Sequence, residues 1–248
     1  MWSILIHGER DAVLVDTPVT NAQATALADW VETHGKTLTT IYTTHGHGDH
    51  FFGNGILLER FPIARAVATG LWNERFPGLI PRNIAIPERL EGDTLYLEDH
   101  ELVVVDVGHT DTDDSTCLHV PSIGLVVAGD LAYNGVHQYF AESLTHQNRM
   151  EWITALDKIE TLKPNAVIAG HKRETNGDAP NIIEETHQYI RDFDRLVDST
   201  ASTRELYDAM LALYPDRLNR ALGFCARDQG VRAFFAIAIG APRRVVEP

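Results

Sequence analysis

Short runs of apolar and β-branched residues recur along this chain, separated by clusters of Gly, Pro, Asp and Asn. Runs of about four to eight residues bounded in this way are typical of β-strands. Two of them, residues 2–7 and 12–17, flank the turn at 8–11 and predict a β-hairpin. Further strands are predicted at 37–43, 66–69, 94–97, 101–105, 115–120, 124–130 and 166–171.

Other segments carry apolar residues at every third or fourth position, which is the spacing of one helix face. Residues 21–34 show this repeat and end at Gly35, and Ser202 with Glu205 forms a capping-box pattern before a later segment. Because strands alternate with helices, the pattern predicts an α/β protein. The predicted helices span 21–34, 55–61, 150–162, 182–197 and 206–214.

The most informative stretch, residues 44–50, lies between the strand at 37–43 and the helix that is predicted to begin near Phe51. It contains three imidazoles and one carboxylate within six residues. These side chains bind zinc or iron at about 2.0–2.2 Å. Gly46 and Gly48 permit a tight turn that brings the imidazoles together. The stretch therefore predicts a metal site, and the alternative is a polar loop whose histidines bind nothing.

Three later strands also end at a residue that can bind a metal. His109 stands in a Gly-His-Thr sequence, Asp130 ends the run 124–130, and His171 follows the run 166–170. In layered α/β proteins, binding sites form beyond the carboxyl ends of strands. We therefore expect these three side chains to lie near the 44–50 loop.

The ordered set of His45, His47, Asp49, His50, His109, Asp130 and His171 resembles the ligand motifs of the metallo-β-lactamase-fold superfamily of metallohydrolases. The resemblance covers about residues 1–180 and is closest in pattern to dinuclear members that act as lactonases or esterases. It implies a four-layer αβ/βα sandwich with extra C-terminal helices. Residues 1–248 would then form a single domain, in which 181–248 are a mainly helical extension.

The resemblance also implies two divalent metal ions, zinc in the first place, although iron and manganese suit the same donors. It assigns three histidines to one ion, two histidines and an aspartate to the other, and a second aspartate to both. The first set is His45, His47 and His109, the second is Asp49, His50 and His171, and the bridging residue is Asp130.

The implied reaction opens a carboxylic ester or lactone of a small molecule with a metal-bridging hydroxide, and lactam activity would be weak. Asp49 would carry a proton to the leaving group. Tyr133 stands three residues after Asp130, where lactonases of the family carry a tyrosine that contacts the substrate carbonyl. The aspartate at 130 argues against a dedicated β-lactamase, because the β-lactamases of the family have another residue type there.

Three other functions remain open. A thioesterase of the glyoxalase II type would need cations near the pocket, and Lys172 and Arg173 are candidates unless they are a solvated surface pair. Persulfide dioxygenases share the motif but use one iron ion. A metal-binding or scaffold protein without catalysis is the remaining alternative, which the complete ligand set disfavours.

Composition restricts the partners. The net charge of −14 opposes binding to nucleic acid and to an anionic membrane surface. No run reaches the roughly 18 apolar residues of a membrane span, and no basic segment precedes an apolar run at the start. The sequence therefore predicts a cytoplasmic protein with a small-molecule substrate. Cys117 and Cys225 are too few for a disulfide framework, and Cys117 is predicted to be buried in a strand.

Several segments allow two interpretations. Residues 70–92 are either a lid over the site or a connector, and Asp16 either braces the metal loop or simply ends a strand. Asp111 and Asp113 are predicted to be turn formers, with hydrogen bonds to ligand histidines as the alternative. The apolar run at 234–239 is either buried or pairs with a second copy in a homodimer.

Overall fold

A computed structural model describes residues 1–70 and 84–219, together with the backbone of a strand at 234–238. In its first sheet, the opening hairpin is antiparallel and the other neighbouring strands are parallel. The order of the strands in this sheet is β11-β1-β2-β3-β4-β5. Their bounds are Ser3–His7 (β1), Asp11–Val15 (β2), Thr37–Thr43 (β3), Arg65–Ala68 (β4), Glu88–Arg89 (β5) and Phe234–Ala238 (β11).

The second sheet is an antiparallel meander with one parallel strand added at its edge. Its order is β10-β9-β8-β7-β6, and β10 runs parallel to β9. The chain reaches β10 through a helix, as a parallel connection requires. The bounds are Thr94–Leu97 (β6), His100–Gly108 (β7), Ser115–Val120 (β8), Leu125–Asn134 (β9) and Ala166–Lys172 (β10).

Three of the described helices begin at a hydroxyl side chain that accepts a backbone N–H of the first turn, which is the usual N-cap interaction. Thr20, Thr145 and Ser202 provide these caps. The bounds are Asn21–Thr33 (α1), Gly48–Phe51 (α2), Asn54–Arg60 (α3), His146–Glu160 (α4), Ile182–Ser199 (α5) and Thr203–Leu213 (α6).

Alternation of side chains along the strands creates three apolar layers, because successive residues of a strand point to opposite faces. In β2, Val13 and Val15 join the core between the two sheets, whereas Leu14 packs in the outer layer that includes Leu27 of α1. The outer face of the second sheet packs against α4 and α5 around Trp152. The molecule is therefore the predicted four-layer αβ/βα sandwich of an α/β protein.

Most predicted elements are present, with differences at their ends. The strand predicted to end at Asp130 continues to Asn134, and the helix predicted from residue 150 begins at His146. Thr145 and Asn148 form a capping box there, a signal that the apolar spacing alone does not reveal. Cys117 is fully buried, as predicted.

Two predictions concern segments at the limits of the described residues. Of the suggested lid at 70–92, residues 71–83 lie outside the described part of the chain. The backbone at 234–238 pairs in parallel with β1 of the same chain, and the homodimer stays a prediction. Within residues 1–70 and 84–219, no helix has the length and hydrophobicity needed to cross a bilayer.

Replacing Leu27 of α1 with alanine should lower the free energy of unfolding by about 2–5 kcal/mol, because the fully buried side chain would leave a cavity under the helix. Leu144→Ala is the matched control, because that side chain is 74% exposed and its loss should change stability by less than about 0.5 kcal/mol. Urea denaturation measures both. Equal effects of the two substitutions would contradict the described packing of α1.

Candidate metal centre

The loop at 44–50 leaves the end of β3 and enters α2, as the sequence predicts. His47 has extended backbone angles at the N-cap of α2, and Asp49 and His50 lie on that short helix. The side chains of His45 and His50 are buried, whereas those of His47 and Asp49 are 22% and 39% exposed. The loop thus presents two potential ligands from the interior and two from the open side.

A first group of potential ligands gathers around His45 and His47. One ligand atom from each of these residues, from Asp111 and from Asp130 lies within 4.8 Å of all the others. The Asp111 Oδ2 atom is 2.9 Å from Nδ1 of His47 and 3.8 Å from Nε2 of His45. Two imidazoles and two carboxylates therefore converge on one point.

A second group consists of Asp49, His50 and His171, again with ligand atoms within 4.8 Å. The Nε2 atom of His171 lies 3.3 Å from Oδ2 of Asp49, and Nε2 of His50 lies 3.9 Å from the same oxygen. His171 comes from β10 in the second sheet, so this group joins residues from both halves of the fold.

Asp130 contacts both groups. Its Oδ1 atom is 3.4 Å from Nε2 of His50, and its Oδ2 atom is 3.2 Å from Nε2 of His171. It also belongs to the first group, and its side chain is only 4% exposed. This position between the groups is the one that a bridging carboxylate requires.

Two glycines allow this close approach. Gly129 has φ +55°, a backbone conformation that favours glycine, and a Cβ atom there would collide with the hydroxyl of Thr44. A Cβ atom on Gly170 would collide with the carboxylate of Asp130. The Gly-Asp and Gly-His pairs of the sequence motifs are therefore steric requirements of the centre.

The structure brings six of the seven predicted ligands together, and His109 is not among them. The Nδ1 atom of His109 lies 2.5 Å from Oδ1 of Asp113, and its Nε2 atom lies 3.0 Å from Oγ of Ser143. Asp111 belongs to the first group instead. The role of His109 as a ligand stays a prediction. Only the dense acids after Gly-His-Thr hinted at Asp111 in the sequence.

Unpaired buried atoms test whether these residues suit a metal. Among the described residues, Nε2 of His45, Nε2 of His50, Oδ2 of Asp111 and Oδ1 of Asp130 are buried without a hydrogen-bond partner. Such atoms cost about 1–3 kcal/mol each when nothing compensates them. These four atoms belong to the two groups, although further unpaired buried atoms, such as Oγ1 of Thr43 and Nδ2 of Asn54, lie outside them. Imidazole and carboxylate are the donors that zinc, iron and manganese accept. The chemistry of both groups therefore fits divalent metal ions.

The two histidines of the first group have opposite pKa shifts. Burial, and next the neighbouring His50, lower the pKa of His45 to about 4, so its imidazole is neutral and ready to bind a metal. Burial opposes protonation of His47, but the Asp111 and Glu142 carboxylates outweigh it and raise the pKa of His47 to about 10. Since ligand histidines must be neutral, metal binding would release this proton.

Asp16 fixes the 44–50 loop through hydrogen bonds to Thr44 and His50. Its carboxylate accepts hydrogen bonds from the backbone N–H of Thr44 at 2.9 Å, from the Thr44 hydroxyl at 2.9 Å and from Nδ1 of His50 at 2.8 Å. A carboxylate in this position fixes the ring orientation of a ligand histidine, so that Nε2 points to the metal. Of the two interpretations of Asp16, these contacts support the brace.

Glu142 contacts His47, one of the two partly exposed potential ligands of the loop. Its Oε1 atom is 2.9 Å from Nε2 of His47, and its Oε2 atom accepts from the hydroxyl of Thr112 at 2.6 Å. The ring of Tyr139 meets the His47 ring edge-on at 5.4 Å. No motif in the sequence pointed to Glu142, because it lies in an irregular segment 95 residues away.

Tyr133 contacts Asp130 and His171. Its hydroxyl donates to Oδ2 of Asp130 at 2.8 Å, and its ring stacks on that of His171 with centroids 5.7 Å apart. The residue is 2% exposed. The structure therefore shows Tyr133 orienting Asp130, and its contact with a substrate stays a prediction.

The two cations next to His171 have structural partners. The Nζ atom of Lys172 lies 2.6 Å from Oδ1 of Asp178 and 4.9 Å from the centre of the Trp2 ring, and its side chain is 4% exposed. Arg173 donates to the backbone carbonyl of Asp216. Lys172 is therefore buried, and the solvated-pair interpretation was wrong for it.

The sandwich fold and the paired histidine and aspartate groups define a metal-binding α/β protein with its site at the strand ends. A family model described as the metallo-beta-lactamase superfamily matches residues 2–171. The chain belongs to this superfamily.

Individual relatives agree with this assignment. A hydroxyacylglutathione hydrolase from Parasynechococcus marenigrum is 27% identical over 86% of this chain and 77% of its own length. Another, from Synechococcus, is 40% identical over 28% of this chain, and the chain spans 26% of that relative. The metallo-beta-lactamase FIM-1 from Pseudomonas aeruginosa has a TM-score of 0.62 at 20% identity, covering 77% of this chain and 83% of its own.

Replacing Asp16 with asparagine should weaken zinc binding by about ten- to a hundredfold, because an amide has one acceptor oxygen and cannot accept from both the Thr44 N–H and Nδ1 of His50 as the carboxylate does. Asparagine tolerates the φ of +61° at this position, so the backbone should be retained. Asp29→Asn is the control, since Asp29 is exposed on α1 and pairs with Arg60. Competition with a chromophoric chelator measures zinc affinity. Unchanged affinity in Asp16→Asn would contradict the brace.

Proposed function

We propose that this chain is a dinuclear metal-dependent hydrolase that opens a carboxylic ester or lactone of a small molecule. The observation that carries the proposal is the pair of ligand groups joined by Asp130, with unpaired buried nitrogen and oxygen atoms facing one another. A purely structural metal site is closed by its ligands. Here Asp49 and His171 of the second group remain 39% and 25% exposed, which leaves access for a substrate.

Two divalent ions, zinc in the first place, would supply Lewis acidity and a bound water with a pKa near 7. Four imidazoles and three carboxylates in the two groups suit zinc, and iron or manganese would suit them as well. The FIM-1 structure is that of a mono-zinc form, which supports zinc in a protein of the same fold.

Residues of the chain would transfer a proton and position the reacting groups. The side chain of Asp49 is 39% exposed, whereas those of Asp111 and Asp130 are buried. Asp49 is therefore placed to carry a proton to the leaving oxygen. Asp130 would hold the two ligand groups in register. Tyr133 would keep the Asp130 carboxylate in place through its hydroxyl. If the enzyme is a lactonase, the same hydroxyl would contact the substrate carbonyl.

A thioester is the second candidate substrate, because seven relatives, each from a different strain, are named hydroxyacylglutathione hydrolases. A substrate with several carboxylates would need cations beside the site. Lys172 and Arg173, the two cations nearest to His171 in the sequence, are engaged with Asp178 and with the backbone of Asp216. As far as these two described cations are concerned, the arrangement supports an uncharged acyl substrate over a glutathione thioester.

The remaining parts of the proposal follow from charge and geometry. A single iron, as in a persulfide dioxygenase, would leave one of the two groups without a function. The net charge of −14 disfavours nucleic acid and anionic membranes as partners, so the proposed partner is a small molecule. The proposed location is the cytoplasm. A homodimer would be compatible with this function.

Metal content and turnover test the proposal together. Wild-type protein purified without chelator should contain about two zinc ions per chain and hydrolyse lactones or esters. Asp130→Ala should lower the content of both ions and reduce turnover by at least about a thousandfold, because this side chain contacts both groups. Circular dichroism confirms that the variant is folded.

The alternatives give different results in the same assays. Turnover of thioesters alone would move the assignment to the thioesterase. One iron ion per chain without hydrolysis would exclude the dinuclear hydrolase and make oxygen consumption the next assay. Near-normal turnover in Asp130→Ala would contradict a bridging role.

Replacing Tyr133 with phenylalanine should lower the turnover of lactones by about ten- to a hundredfold while the metal content stays near two, because the ring remains and only the hydroxyl is lost. Tyr42→Phe is a matched control, since its hydroxyl bonds to Thr116 in the core between the sheets. Steady-state kinetics and elemental analysis measure both quantities. An unchanged rate in Tyr133→Phe would remove this hydroxyl from the mechanism.

A further inference from the structure

We propose that Glu142 is a positioning residue that holds His47 with Nδ1 turned towards the first ligand group and joins this histidine to the loop after β7. The inference rests on the proposed function, because it concerns a potential ligand of the same centre. Glu142 itself belongs to neither ligand group. It therefore acts through His47, and it determines how tightly the first group binds an ion.

His47 is held differently from the two buried histidines of its loop. The Nδ1 atom of His45 lies 3.0 Å from the Thr44 hydroxyl, and that of His50 lies 2.8 Å from Oδ2 of Asp16. In both rings Nε2 is therefore left for the metal centre. Burial also restricts these two side chains, which are at most 2% exposed.

The two ring nitrogens of His47 have the opposite roles. Nδ1 lies 2.9 Å from Oδ2 of Asp111 in the first group, and Nε2 lies 2.9 Å from Oε1 of Glu142 outside it. The His47 side chain is 22% exposed, so burial restricts its ring less than those of the other two histidines. A ligand histidine in such a place depends for its orientation on a hydrogen bond at its second nitrogen. Glu142 provides that hydrogen bond.

The same carboxylate also contacts the loop between β7 and β8. Its Oε2 atom accepts from the Thr112 hydroxyl at 2.6 Å. Thr112 is itself fixed, because its backbone carbonyl accepts from the N–H of Thr110 at 2.9 Å and from the Ser115 hydroxyl at 3.0 Å. Glu142 thus joins two loops that carry potential ligands, and the position of His47 depends on both.

The segment that carries Glu142 is anchored on both sides. Before it, the ring of Phe140 stacks on that of Phe193 from α5, with centroids 3.9 Å apart. After it, buried Arg149 of α4 donates to the backbone carbonyls of residues 143 and 144 at 3.2 and 2.9 Å. An ion pair between free surface side chains contributes little, because ordering them costs entropy. Here the backbone is already fixed, so less entropy is lost when Glu142 bonds to His47.

The zinc affinity of single variants tests the proposal by competition with a chromophoric chelator. Glu142→Ala should bind one zinc ion about ten- to a hundredfold more weakly, the usual effect of removing the hydrogen-bond partner of a ligand histidine. Glu142→Gln should stay within about threefold of the wild type, since its amide oxygen can still accept from Nε2 of His47. Glu151→Ala is the matched control, because this exposed residue of α4 bonds to Gln147 and its loss should leave zinc affinity unchanged.

A double-mutant cycle tests the connection to the second loop. Thr112→Val removes the hydroxyl that donates to Glu142 but keeps the shape of the side chain, and it should weaken binding of the same ion by about three- to tenfold. In the Glu142→Ala background, Thr112→Val should have no further effect, because its influence passes through Glu142. Equal effects in both backgrounds would contradict the connection.

A spectroscopic measurement separates positioning from general stability. In zinc-loaded protein with isotope-labelled histidine, nitrogen NMR should show Nδ1 of His47 bound to the metal and Nε2 protonated. The signal of the Nε2 proton should weaken in Glu142→Ala through faster exchange with water, and Glu142→Gln should retain it.

Zinc bound through Nε2 of His47, or unchanged zinc affinity in Glu142→Ala, would overturn the proposal while leaving the proposed function intact. If circular dichroism shows that Glu142→Ala is unfolded, Thr112→Val and the wild-type spectrum decide in its place. A wild type that binds no metal would refute the proposed function, and this inference with it.

Discussion

The structure depends on one buried carboxylate, Asp130, which lies between two groups of imidazoles. A carboxylate with 4% exposure is costly to bury unless it is paired, and here Tyr133, His50 and His171 surround it. Opposite charges nearby, against the effect of burial, hold the pKa of Asp130 well below its usual range. The residue belongs to β9, an interior strand of the second sheet, while His50 comes from α2, which follows β3 of the first. The two halves of the sandwich therefore meet at this side chain.

Two carboxylates outside the ligand groups hold histidines of these groups in place. Asp16 fixes His50 from within the first sheet, and Glu142 fixes His47 from an irregular segment before α4. Both contacts use the ring nitrogen opposite the one that faces the ligand group, so they set the direction of the other nitrogen. The unpaired atoms of the two groups are thus a product of the whole fold. They explain why a metal hydrolase is the function that best suits this arrangement.

Family and function stand on different observations. The match over residues 2–171 and the sandwich establish the metallo-beta-lactamase superfamily. This fold supports several reactions, so the substrate must be argued from the site. The partners of Lys172 and Arg173, and the acidic character that Asp111 and Glu142 add near His47, favour a neutral acyl compound.

The sequence by itself determined most of the strands, and the resemblance of its ligand motifs to the superfamily implied the αβ/βα sandwich and six residues of the two groups. It could do so because strand ends, glycines and ligand residues are adjacent along the chain, as at 44–50 and at Gly170 and His171. Only the tertiary structure brought Asp111 beside His47 while His109 turned towards Asp113 and Ser143, and only it revealed Glu142. The reason is that hydrogen bonds between distant segments fix the loop at 109–115, and no local pattern of residues encodes which of its side chains faces the site.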